Sequence, residues 1–213
     1  MAEPLEIWKL GRMPFAEALA LQEALANAAA QCGAEVLLLL EHEPVFTIGR
    51  TRDQSSLGDS ARLPAPVFEI NRGGQATFHG PGQLVGYPIL HLGKRGRDLH
   101  RYLRFLENFL SELCREFGVE AASRPGLTGA WVGQRKIASI GVGVRRWVSM
   151  HGFALNVCND LDPFRSITPC GIAGVQMTSL TLEAGRDISL EAVQQCAADL
   201  FPAALENELP AVG

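Results

Sequence analysis

Leu99, Leu103, Leu106, Leu110 and Leu113 recur at alternating steps of four and three residues. This is the helical period, and it predicts a long helix from Asp98 to about Phe117 with one apolar face. A second helix is predicted from Phe15 to about Cys32, rich in Ala, Leu and Glu and stopped by Gly33. "DISLEAVQQCAADLFPAAL" predicts a third, capped near Ser189. Between the helices the pattern changes. "EVLLLLEH" (residues 35–42) reads as a buried strand, and "PVFTIGR" follows it as another. "QSSLGDSARLPAP" is a surface loop, and "VFEINR" a short strand that leads into a run of glycines. "QLVGYPILHL" is β-rich but alternates poorly, so a well-buried strand is expected there. "TGAWV", "KIASIGVGV" and "WVSMHGFALNV" predict three more strands. The order is helix, strands, helix, strands, helix. It suits an α+β fold, a mixed β-sheet with packed helices, rather than regular βαβ winding.

At 213 residues, with 47% hydrophobic and 20% charged positions, the chain has the composition of an ordinary globular protein. Its length allows one large domain or two small ones. With no repeat or long linker, one domain over residues 1–213 is expected, its core at about 5–201. The net charge of −4 argues against a dominant nucleic-acid role, which a basic excess usually serves. No run of about 18 apolar residues predicts a membrane span, and the start does not read as a signal peptide. The five cysteines, Cys32, Cys114, Cys158, Cys170 and Cys196, are odd in number and widely spaced, with no CxxC. A disulfide framework and a thiolate zinc site are both disfavoured, no metal is expected, and the simplest compartment is the reducing cytoplasm.

Cys170, in "SITPCGIAG", stands between Pro169, which fixes the backbone, and Gly171, which permits a sharp turn. A cysteine pinned on such a loop can be presented to a ligand, although free cysteines are usually buried spectators. Lys136 begins "KIASIGVGV", where alternation puts Lys136, Ala138, Ile140 and Val142 on one face. It is either a solvent-facing strand-end lysine or a partly desolvated base. His79 and His151 could each orient a substrate, act as general acid or base, or bond their own loops. Arg72 opens the glycine run and is open to a carboxylate or phosphate. Lys94, Arg95, Arg97, Arg101 and Arg104 form a basic cluster that either docks an acidic partner or is a solvated helix face. The glycine run is neither a Walker loop nor GxGxxG at a strand–helix junction, and no GxSxG occurs.

Together, these pieces resemble one family. "RGGQATFHGPGQLVGY" resembles the signature of the lipoyl(octanoyl) transferases, R-G-G-x-x-T-aromatic-H-x-x-G-Q-x-x-x-Y. "EHEPVFTIGR", "RKIASIGV", "HGFALNV" and "TPCG" resemble further family motifs, in the family's order. The resemblance implies a fold like the catalytic domain of biotin and lipoate protein ligases. It implies transfer of an octanoyl group from octanoyl-acyl carrier protein to a lysine on lipoyl domains of 2-oxoacid dehydrogenase complexes and the glycine-cleavage H protein, with no cofactor. It makes Cys170 the acyl-accepting nucleophile and Lys136 its partner, stabilising the thiolate and then serving as general base. The implied substrate-binding residues are Arg72, Gly73, Gly74, Gln75, Ala76, Thr77, Phe78 and His79, then Ser139, Ile140 and Gly141, then Gly152, Phe153 and Ala154. Backbone N–H groups of the glycine loop or of Gly171 would hold the oxyanion. The rivals are an ATP-dependent lipoate or biotin ligase, a transferase between lipoyl-domain proteins, a non-catalytic acyl-carrier or lipoyl-domain binding module, and a cysteine hydrolase. A monomer is expected.

Overall fold

In the computed structural model, which describes residues 5–50 and 54–211, the chain starts with a strand that the sequence pattern did not predict. β1 (Glu6–Met13) runs parallel to β2 (Val36–His42), and α1 (Phe15–Cys32) connects them. This parallel unit corrects the expected order, which began on a helix. β1 is an edge strand with no buried residue, and its apolar residues Ile7, Trp8, Leu10 and Met13 keep no strict alternation that would mark it. β3 (Val45–Ile48), β4 (Val67–Glu69) and β5 (Thr77–His79) form a separate sheet in the order β4-β3-β5. Then come β6 (Gln83–Ile89), α2 (Leu99–Glu116), β7 (Ala122–Arg124), β8 (Leu127–Val132), β9 (Arg135–Arg145) and β10 (Val148–Asn156). β11 (Gln176–Met177), α3 (Leu180–Ala184) and α4 (Leu190–Glu208) complete the chain. The main sheet runs β1-β2-β6-β10-β9-β8-β7, with β11 also on β9. β1 and β11 pair parallel and the rest antiparallel, so the sheet is mixed, as expected.

Helices on both faces explain the unbroken apolar run of β2. Leu37 and Leu39 pack with α2 and α4, while Val36, Leu38 and Leu40 pack with Ala18 of α1. Burying each such side chain contributes about 1.5–3 kcal/mol. Phe201 of α4 meets Phe105 and Phe109 of α2 edge-on at 5.3 and 5.0 Å, each pair adding about 0.5–1.5 kcal/mol. The buried face of α2 therefore centres on Tyr102, Phe105, Leu106 and Phe109. Leu99 is 40% exposed and Leu103 half-buried; the predicted leucine stripe drifts out of the core at its first turn.

The basic cluster also divides. Arg95 is buried and binds Glu35, Glu206 and the carbonyl of Leu209, which ties the end of α4 to β2. The Lys94 ammonium lies over Gly33, at the negative end of α1. Arg97, Arg101 and Arg104 remain exposed.

Candidate active site

Pro169 and Gly171 shape a tight turn in which Cys170 takes a left-handed conformation, φ 55° and ψ 17°. A side chain in this region costs about 1–2 kcal/mol, so the surroundings must hold it. The Cys170 N–H donates to Ala76 O (2.9 Å), the Gly171 N–H to Thr168 O (2.9 Å) and the Thr168 N–H to Ser56 O (2.7 Å). The Ser56 hydroxyl donates to Gln75 Oε1 (2.8 Å) and accepts from the Ala76 N–H (3.1 Å). Ser56 thus joins the glycine loop to the cysteine turn. Its place in a polar loop, "QSSLG", carried no signal in the sequence.

The turn aims Cys170 Sγ at Lys136 Nζ, 3.2 Å away, with Ser139 Oγ at 3.7 Å. Lys136 and Ser139 are three apart, which regular alternation would put on opposite faces. A bulge brings them together: Ala130 faces Ala138 and Trp131 faces Lys136, leaving Ile137 as the extra residue of β9. This corrects the alternation drawn from the sequence. Lys136 is only 1% exposed, because β11 pairs with the start of β9 where β10 does not reach. The strand end that looked solvent-facing is therefore enclosed. Its Nζ donates to Thr128 O (2.8 Å) and lies 5.2 Å from the Trp131 ring centre. Gly129 makes room for it, since a Cβ there would sit 2.9 Å from Lys136 Cε. The other thiols lie in unlike surroundings. Cys114 is in the core, where burial pushes its thiol up to about 12, and burial also raises those of Cys158 and Cys196.

Cys170 and Lys136 open into a cavity of about 400 Å³, a usual size for a small-ligand site. Residues 72–75, 139–141 and 152–154 line it, with Thr77 and His79. Ala76 and Phe78 do not: they pack with Phe46 and Phe164 beneath the small sheet, because alternate residues of β5 face opposite ways. The structure therefore places these two expected substrate-binding residues behind the cavity wall rather than on it. The glycine loop crosses β9 closely, the Gly73 N–H donating to Val142 O (2.9 Å). A Cβ on Gly141 would be 2.9 Å from Arg72 Cδ, so only glycine fits under this crossing. Arg72 is 9% exposed, and its guanidinium donates to Gly73 O, Thr47 O and Thr47 Oγ1. It braces the loop and makes no ion pair among the described residues. The N–H groups of Gly73 and Gly171 are committed to internal carbonyls, which removes these two from the expected oxyanion donors.

Three buried histidines flank the cavity. Burial lowers His42 to about 4, His79 to about 3 and His151 to about 4, so all are neutral near pH 7. Gln83 Nε2 donates to Phe78 O and Asn156 Oδ1, so Gln83 Oε1 accepts from His79 Nδ1–H at 2.8 Å. His79 Nε2 is left as the unprotonated nitrogen. His42 Nδ1 donates to Met13 O, and its Nε2 accepts from Tyr87 O–H at 2.7 Å. Neither is set up as a proton donor at pH 7. Phe15, Tyr87, Leu99 and Leu103 also line the cavity; of these, Leu99 and Leu103 read in the sequence as part of the apolar helix face.

Residues 14–201 match the family model of the lipoyl protein ligase A/B catalytic domain. The octanoyltransferase of Geobacter metallireducens is 56% identical over 202 residues, 94% of this chain and 93% of that protein. A lipoate-protein ligase A solved with ATP superposes with a TM-score of 0.75 at 17% identity, over 97% of this chain and 86% of the other. Biotin protein ligase from Aquifex aeolicus gives 0.58 at 12% identity, over 99% and 72%. The chain belongs to the family of the octanoyltransferases and lipoyl protein ligase A/B catalytic domains.

Proposed function

We propose that this protein, an acyltransferase by family, moves an octanoyl group from acyl carrier protein to a lysine of lipoyl domains through a thioester on Cys170. The observation that carries this reading is the 3.2 Å contact between Lys136 Nζ and Cys170 Sγ at a cavity fit for a short acyl chain. The acceptors are lipoyl domains of 2-oxoacid dehydrogenase complexes and the glycine-cleavage H protein. The whole chain acts as one catalytic domain.

The Cys170 thiol gives its proton to Lys136, and the thiolate attacks the thioester carbonyl. The carrier thiolate leaves and takes the proton back from the Lys136 ammonium. The exchange of one thioester for another is nearly isoenergetic, so no ATP is required. The acceptor amine then attacks the Cys170 thioester and gains the acyl group. Neutral Lys136 takes the amine's proton, Cys170 leaves as thiolate, and the charged pair is restored. Forming an amide from a thioester drives the second half. Ser139 Oγ, 3.7 Å from Sγ, lies where it can donate to the developing oxyanion. The apolar side chains of Phe15, Ile70, Leu103 and Phe153 in the cavity wall suit the hydrocarbon tail.

Incubation with octanoyl-acyl carrier protein without ATP, followed by intact mass measurement, tests the reading. An octanoyl adduct on Cys170, absent from Cys170→Ala and lost on adding a lipoyl domain, is expected. Acyl transfer that requires ATP and free octanoate would replace it with the ligase reading.

A further inference from the structure

The mouth of the acyl cavity carries an unusual surface. Leu99, Val144 and Trp147 are three of the four large hydrophobic residues exposed among those described. They belong together. Leu99 and Val142 line the cavity, and Val144 follows Val142 on the same face of β9. Trp147, in the turn after β9, bonds through its carbonyl to the Gly93 N–H, and its Cβ lies 3.3 Å from where a Gly93 side chain would begin. That places it beside the segment leading into α2. Exposed arginines neighbour these residues in the chain: Arg97 just before α2, Arg104 after Leu103, and Arg145 and Arg146 just before Trp147. None of the four makes an ion pair among the described residues. The nearby Asp98 is used to cap α2 through the Arg101 N–H. The overall charge is −4, so these four cations stand in a chain whose net charge is of the opposite sign.

We propose that this surface docks the protein that delivers the acyl thioester, through an acidic face on that protein. The inference rests on the carrier-dependent reading above. An acidic carrier seated between α2 and the β9–β10 turn would lie over the cavity mouth, from which its thioester arm enters toward Cys170. Unpaired arginines attract and orient it, while Leu99, Val144 and Trp147 supply the apolar contact that a lasting encounter needs.

The test compares two octanoyl donors, acyl carrier protein and the small thioester octanoyl-pantetheine, with a charge-reversed variant, Arg104→Glu/Arg145→Glu/Arg146→Glu. Acylation of Cys170 from the carrier is expected to fall about tenfold or more at low salt, with a weaker salt dependence. Acylation from octanoyl-pantetheine should be unchanged, which also shows that the variant folds. Equal loss with both donors, or undiminished use of the carrier, would overturn the proposal. Normal loading by the carrier with impaired discharge to a lipoyl domain would overturn it too, assigning the surface to the acceptor. A parent protein acylated by octanoyl-pantetheine but never by the carrier would instead refute the carrier reading itself.

Discussion

The left-handed backbone at Cys170 predicts a stability difference between two variants that lack its sulfur. Cys170→Ala and Cys170→Gly both remove the sulfur and its contacts with Lys136 and Ser139, so their difference isolates the backbone. At φ 55°, ψ 17° alanine keeps a strain of about 1–2 kcal/mol that glycine does not feel. Glycine gives back about 0.4–1 kcal/mol through the greater freedom of its unfolded chain. The net gain is about 0.5–1 kcal/mol in favour of glycine. For a chain of 213 residues it corresponds to a melting temperature about 1–4 °C higher. Parallel thermal and urea denaturation measure it, with equal urea slopes as the check that both variants unfold alike. An alanine variant as stable as the glycine variant, or more so, would show that the turn stores no strain. The result bears on function because the same hydrogen bonds that hold the strained turn, from Cys170 to Ala76 and from Thr168 to Ser56, aim the sulfur at Lys136. Under the proposed mechanism, strain kept at Cys170 is a stability cost accepted for geometry.

Three further outcomes are expected. With folded-state values near 3 to 4 for His42, His79 and His151, the unfolded chain binds protons below pH about 6.5 that the folded chain refuses. Stability is therefore full above that pH and falls toward pH 4, by about 1.4 kcal/mol per pH unit for each histidine; a urea midpoint unchanged between pH 7 and 5 would contradict their neutral burial. Ser56→Ala leaves the buried Ala76 N–H without its acceptor, at about 1–3 kcal/mol. It should also slow alkylation of Cys170 by iodoacetamide, and unaltered alkylation would exclude a role in positioning the cysteine turn. Gly86→Ala would bring a Cβ to 2.1 Å from the Phe153 ring, so urea titration should show a loss of about 1–3 kcal/mol, partly regained with Phe153→Leu; additive effects would show that the two sites do not touch.

The hydrophobic pattern marked the three long helices and most strands because their periods are local properties of the chain. α1 and its stop at Gly33, α2, and α4 with its Ser189 cap fall where the sequence puts them. So do β2, β6 and the β9–β10 pair. Pro169 and Gly171 likewise marked Cys170 as a cysteine on a turn. β1 and β11 were not legible. The apolar residues of β1 keep no strict alternation, and two residues at β11 carry no period. Residue spacing alone left Lys136 undecided between solvent and site, and the family resemblance put it at the site. The tertiary structure encloses it beside Cys170, through the bulge at Ile137 and the pairing of β11 with the start of β9. Ser56 and the division of the basic cluster were decided in the same way. Each depends on segments distant in the chain meeting in space, and residue spacing holds no record of such meetings.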